Sequence, residues 1–365
     1  IACTDFLSKR YTQVNEKFCR ATNCKEQLHQ RNRTTMVLDT KLTRMLGIKH
    51  PIVQGGMHYV GFAELAAAVS EAGGLGCITA LTQKTPELLS AEIRKAQKLT
   101  NKPLAVNFTL LPALAPPNYE GYAEAIINSG IRIVETAGRN PEKWIKYFKA
   151  KGCIVLHKCT AVKHALTAER HGADVISMDG FECAGHPGES DIGNLVLLAK
   201  AVRKLKIPFI ASGGIGDGRQ LAACLALGAE GVNMGTRFMA TVEAPIKQGI
   251  KQALVDADET GTTLVMRSVK NTERVFKNPV ALEVQAIEAK KPGDIMAIRH
   301  LVSGENYRKS FQETGDPNNS VWSAGTVMGL IDDIPTCKQL VEGMVQECEE
   351  IIQKRLKSLI LPSKL

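Results

Sequence analysis

Two glycine-bearing segments in the middle of the chain have the composition of an anion site, Gly213-Gly214 and Gly235-Thr236. Glycine lets backbone N–H groups approach an anion closely. The helix expected after Gly218 adds its positive end. Together the two loops predict a cradle for a phosphate monoester; the plainer alternative is that the glycines only make tight turns. Lys158 ends an apolar run, where it either neutralises a cofactor ring that gains charge on reduction or is an ordinary solvated lysine. His186 lies between Gly185 and Pro187, on a constrained loop. Imidazole titrates near neutrality and can take a proton from an activated carbon, so His186 is the main acid/base candidate and His58 the second. Glu182 and Glu189 flank His186; catalysis and loop hydrogen bonds explain them equally well. No GxSxG motif occurs, and Cys159 and Cys183 read as packing residues.

These residues need elements to position them. From residue 50 the chain alternates short apolar or β-branched runs with stretches of helical period. The predicted strands are 51–54, 75–80, 104–110, 131–136, 153–158, 174–178, 208–212 and 231–234. The predicted helices between them are 62–72, 86–99, 119–129, 141–151, 161–171, 195–205 and 219–227. Strict alternation implies a parallel sheet covered by helices, and eight units imply a closed (β/α)8 TIM barrel, an α/β fold. In such a barrel chemistry sits where strands end, and the residues above all follow strands. Residues 37–240 and 324–365 form the expected barrel, and 241–323 a smaller, mainly helical cap domain. A helix is expected over 338–360, with Val341, Met344, Val345, Cys348, Ile352 and Leu356 on one apolar face. Residues 1–36 are an N-terminal extension expected to be disordered, although a basic targeting segment fits too.

Composition excludes other classes. The net charge is +9, and residues 1–35 account for seven basic against three acidic side chains. The remainder is spread, with no basic stripe interleaved with aromatics, so nucleic acid is not an expected partner. No apolar run is long enough for a transmembrane helix, and no membrane partner is expected. Ten cysteines without a CxxC pair predict reduced thiols and no zinc site. The expected compartment is cytoplasmic, with a mitochondrial one open through the first 35 residues. A monomer or a homodimer both fit.

The ordered set PIVQGGM (51–57), AGGLG (72–76), VN (106–107), ECAGH (182–186), IASGGIGDG (210–218) and MGTRF (234–238) resembles the nitronate monooxygenase (2-nitropropane dioxygenase) family of FMN-dependent barrels. The resemblance extends to WSAG (322–325) and GLI (329–331). It implies FMN at the barrel mouth. Gly56, Met57, His58, Thr109, Lys158 and Gly185 would meet the flavin ring, Ser212, Gly213, Gly214, Gly235 and Thr236 would hold the phosphate, and His186 takes the position of the catalytic histidine. It also implies oxidation of a small donor, an alkyl nitronate with O2 or NADH. NFTLLP (107–112), HKCTA (157–161) and FECAGHPGE (181–189) look more like an NADH:quinone reductase branch, with a quinone as acceptor. FMN-type enoyl-ACP reductase shares the glycine loops and ranks third. Pro112, Pro116 and Pro117 are expected to stiffen a loop over the mouth.

Overall fold

A computed structural model describes residues 38–110 and 116–360; the N-terminal extension and Pro112 lie outside them. Eight parallel strands follow in chain order: β1 (Ile52–Gln54), β2 (Gly76–Thr79), β3 (Leu104–Leu110), β4 (Ile133–Gly138), β5 (Ile154–Cys159), β6 (Val175–Asp179), β7 (Phe209–Ser212) and β8 (Val232–Met234). Each pairs with the next from β2 to β8, and β8 pairs with β1. Gln54 N–H donates to Leu75 O at 2.9 Å, and Leu75 N–H to Ile52 O at 2.9 Å, so the last seam is bonded too. The expected barrel is present.

Side chains alternate across a strand, so every second residue faces the interior. Near the strand starts that set is apolar: Val53, Cys77, Ala105, Ile133, Leu156, Val175 and Ile210 share one core with Leu42 and Leu46 of the helix Lys41–Leu46. Two residues further along the same strands the set turns polar: Asn107, Glu135, Lys158, Ser177 and Ser212. The intervening positions, among them Val106, Phe108, Val134, Val155, Ile176 and Phe209, pack with the covering helices. The apolar floor makes the barrel stable, and the polar layer above it faces the mouth.

The structure departs from expectation in two places. Segment 241–323 holds helices (Gln248–Val255, Pro279–Lys290), but also an antiparallel hairpin, β9 (Thr262–Val265) with β10 (Glu273–Phe276). Val265, Val275, Ala281, Val284, Ile298 and Val321 form its own small core. The C-terminal helix is regular only over Cys337–Glu350. From Ile351 to Leu356 the turns widen to π geometry, which rotates the apolar stripe off its face. Val341, Met344, Val345 and Cys348 are buried, whereas Ile352 and Leu356 are about two-fifths exposed. Among the described residues no helix is long and apolar enough to cross a membrane.

Two core histidines make stability depend on pH. Burial holds His50 and His157 at about 4, below the usual 6.5. His50 has no partner for either ring nitrogen among the described residues, and His157 Nδ1 meets Thr136 Oγ1 at 2.9 Å. The unfolded chain takes up their protons near pH 6.5, the folded chain only near pH 4. Between these values the unfolded state binds more protons. Stability should therefore fall as pH drops from 6.5 to 4, by up to about 1.4 kcal/mol per pH unit for each histidine. Urea unfolding at pH 7.5, 5.5 and 4.5 tests this; an unchanged free energy across that series would refute it.

Candidate active site

The twelve catalytic and flavin-site candidates from the sequence all line one cavity of about 940 Å³ at the C-terminal ends of the strands. Gly56, Met57 and His58 come from the loop after β1, Thr109 from β3, Lys158 from β5, and Gly185 and His186 from the loop after β6. Ser212, Gly213 and Gly214 end β7, and Gly235 and Thr236 follow β8.

The β7 and β8 loops require their glycines. Gly213 and Gly214 have φ +93° and +75°, a region L side chains avoid. A Cβ on Gly213 would stand 2.8 Å from Cys183 N, and one on Gly214 2.8 Å from Glu182 Cβ. Tight turning is thus part of their role, but the cradle reading stands beside it. The backbone N–H groups of Gly213, Gly214, Gly235 and Thr236 donate to no other described residue. Thr236 Oγ1 accepts from Gly325 N–H at 3.0 Å, which leaves its own proton to donate. Ser212 O and Gly213 O accept from Asn194 Nδ2 at 2.9 and 2.7 Å, fixing the loop from behind. Clustered donors on glycine loops that line the cavity suit a phosphate monoester.

His186 is exposed on the loop after β6. Its Nδ1 lies 3.0 Å from Thr272 O. A carbonyl can only accept, so Nδ1 carries the proton, and in the neutral ring Nε2 keeps its lone pair. Nε2 has no hydrogen-bond partner among the described residues. Thr272 is itself clamped: Glu189 Oε1 accepts from its N–H at 2.9 Å and Oε2 from its hydroxyl at 2.6 Å. Gly185, at φ +71°, exchanges backbone hydrogen bonds with Arg274 of β10, at 3.1 and 2.6 Å. The hairpin therefore holds the histidine loop. Glu182 serves the loop differently, accepting from Asn194 N–H at 3.0 Å.

Beneath the cavity lies a buried polar network. Glu135 accepts from Gly56 N–H at 2.9 Å, Asn107 Nδ2 at 2.8 Å and Asn233 Nδ2 at 2.8 Å. Asn233 also donates to Ser177 Oγ at 3.2 Å, and Ser177 donates to Asp179 Oδ1 at 3.2 Å. Thr109 hydroxyl donates to Asn107 Oδ1 at 2.8 Å. Lys158 Nζ stands 3.4 Å from Asp179 Oδ2, with about a fifth of its side chain exposed. Burial alone would lower the Lys158 ammonium, but Asp179 and Glu135 outweigh it and hold it well above the usual lysine value. Lys158 is a fixed cation, not a solvated surface residue. Removing the Glu135 carboxylate would strand three donors, two of them in buried amides. Glu135→Ala is expected to cost about 3–5 kcal/mol in urea unfolding, and a loss below about 1 kcal/mol would contradict that role.

His58 is held neutral. Burial pushes it to about 4. Its ring stacks on Tyr59 with centroids 4.0 Å apart, and Tyr307 Oη meets its Nδ1 at 2.5 Å. Burial also pushes the Cys159 and Cys183 thiols well up, so neither is a thiolate nucleophile at neutral pH. The sequence reading missed Glu135, Thr272 and Tyr307. Only Glu135 carried a visible signal, an acid inside the apolar strand Ile133-Val134-Glu135.

Comparison with known proteins agrees with the barrel fold. Residues 39–347 match the family model described as nitronate monooxygenase. The chain is 32% identical over 344 residues to the (3aS,4S,5R,7aS)-5-hydroxy-7a-methyl-1-oxo-octahydro-1H-indene-4-carboxyl-CoA dehydrogenase of Rhodococcus jostii (strain RHA1), covering 85% of this chain and 96% of that one. It is 32% identical over 274 residues to the probable nitronate monooxygenase of Staphylococcus haemolyticus (strain JCSC1435), covering 62% and 75%. The solved structure of FabK from Thermotoga maritima superposes with a TM-score of 0.82 at 35% identity, covering 88% of this chain and 99% of that one.

Proposed function

This chain belongs to the nitronate monooxygenase family of oxidoreductases, and on that premise we propose that it is an FMN-dependent enzyme that oxidises a small donor, an alkyl nitronate with O2 or NADH, at the barrel mouth. The observation that carries this reading is the convergence on one cavity of a glycine cradle and a histidine, whose N–H groups and Nε2 respectively have no hydrogen-bond partner among the described residues. The loops after β7 and β8 would take the FMN phosphate through Gly213, Gly214, Gly235 and Thr236, with Ser212 beside them. Gly56, Met57, His58, Thr109 and Gly185 would bound the ring. FMN, when bound, supplies the two-electron chemistry that no side chain here offers.

The chain's own residues do the rest. His186 takes or steadies a proton of the donor at Nε2, while its Nδ1–H stays on Thr272 O. Lys158 places a fixed positive charge at the strand ends, tempered by Asp179 and Glu135. Met57 and the neutral His58–Tyr307 pair give the mouth an apolar, water-excluding side. NADH:quinone reduction uses the same parts, with a quinone as acceptor. A second reading, reduction of an enoyl thioester, is favoured by a relative whose name carries CoA.

The purified chain should carry or take up about one FMN per chain. With FMN bound, turnover of an alkyl nitronate, of NADH with a quinone, or of an enoyl thioester separates the readings. A chain that stays colourless with excess FMN would rule out all three.

A further inference from the structure

The cradle does not exhaust the cavity's positive charge. Arg139 follows β4, Lys163 opens the helix Val162–His171 after β5, and Lys270 lies in the turn between β9 and β10; all three line the same cavity and are exposed. None forms an ion pair or side-chain hydrogen bond among the described residues. The two acids that line the cavity among the described residues are already engaged, Glu189 on Thr272 and Asp179 on Lys158. The first turn of Val162–His171 holds no acid and no side-chain cap, so nothing there offsets Lys163. Lys270 is held at φ +55°, in the left-handed region, which a lysine adopts at a cost.

Position decides what these cations serve. Arg139 and Lys163 follow the adjacent strands β4 and β5, and Lys270 is two residues from Thr272, which holds His186 of the loop after β6, so the three lie along the β4–β6 arc of the mouth, whereas the cradle follows β7 and β8. His186 sits between them, because Gly188 packs against Thr160 just before Lys163, and Thr272 follows Lys270. The cavity, about 940 Å³, is at the top of the roughly 300–1,000 Å³ usual for one small ligand.

We infer that Arg139, Lys163 and Lys270 form a second anion site, which binds the pyrophosphate-bearing tail of a large substrate whose reactive end reaches His186. Flexible, unpaired cations on three segments suit a phosphate chain, which they neutralise without demanding one geometry. The tail is either that of a dinucleotide donor or that of a CoA thioester. The inference rests on the flavin reading only for assigning the cradle to the cofactor.

The test uses the FMN-loaded enzyme, with ADP and free CoA as probes at low ionic strength. Calorimetry should show saturable binding of ADP, weakening steeply with salt. Lys163→Glu/Lys270→Glu should weaken it about tenfold or more, with FMN content and melting temperature unchanged. Should that variant fold poorly, Lys163→Gln/Lys270→Gln is expected to give a smaller loss in the same direction. CoA displacing ADP would identify a thioester tail; NADH displacing ADP, with CoA inert, would identify a dinucleotide. Absence of ADP and CoA binding, or binding indifferent to both variants, would overturn the site. FMN content, read on the same samples by absorbance, reports separately on the flavin reading.

Discussion

A His186→Ala variant is expected to lose about 10²- to 10⁴-fold in kcat/KM for the donor, the range of a single acid/base group, while keeping its FMN. The histidine makes no hydrogen bond to the cradle among the described residues. Its one described hydrogen bond goes to Thr272 O, so removing the ring leaves the cofactor side intact. The geometry also grades the effect. Glu189→Ala releases both bonds to Thr272 and lets the carbonyl that orients the imidazole drift. It should cost about 10- to 100-fold, as loss of an orienting partner usually does, and Glu189→Gln should recover part of the rate, because an amide oxygen still accepts. Steady-state kinetics with either donor checks the series. A His186→Ala rate within about threefold of wild type would remove the histidine from the chemistry.

The second large effect is on cofactor retention. Gly213→Ala puts a Cβ at φ +93° and 2.8 Å from the Cys183 backbone. Backbone atoms cannot step aside as a flexible side chain would, so the β7 loop must shift. The left-handed penalty adds roughly 1–2 kcal/mol. A displaced loop carries its N–H groups off the phosphate. FMN affinity should fall about 100-fold or more, an electrostatic and geometric loss together, with a smaller fall in melting temperature. Gly130→Ala is a suitable control: it has φ +80° but no atom within 4 Å of the new Cβ, so it should lose stability without losing FMN. Flavin fluorescence on dilution reads both. Equal FMN affinity in the two variants would mean that the β7 loop does not hold the phosphate.

The barrel was legible because its strands are short, apolar and set off by glycine or proline. The run 104–110 coincides with β3, and the other seven expected strands overlap their observed counterparts. The glycine loops and His186 were legible for the same reason, since each follows a strand end and the fold brings strand ends together. The hairpin was not. Thr262-Thr263-Leu264-Val265 and Glu273-Arg274-Val275-Phe276 are only four residues each, half polar, with seven residues between them. Their pairing depends on Gly185 and Ser323 across the fold, contacts that a local pattern does not contain. Glu189 was visible beside His186, but its tie to Thr272, 83 positions away, is made only in space. Glu135 was readable as an acid in an apolar strand, but its three donors come from β3, β8 and the loop after β1. The π turns after Glu350 have no sequence marker; Ile352 and Leu356 keep the helical spacing and still lie outside the core.

The most direct test of the account is anaerobic mixing of the FMN-loaded enzyme with NADH, and separately with an alkyl nitronate, while the flavin absorbance near the visible maximum is followed. Rapid loss of the yellow absorbance with at least one donor, slowed in His186→Ala, is the result expected of a flavin oxidoreductase working through this histidine. Absorbance that neither donor changes, or that falls equally fast without His186, would contradict it.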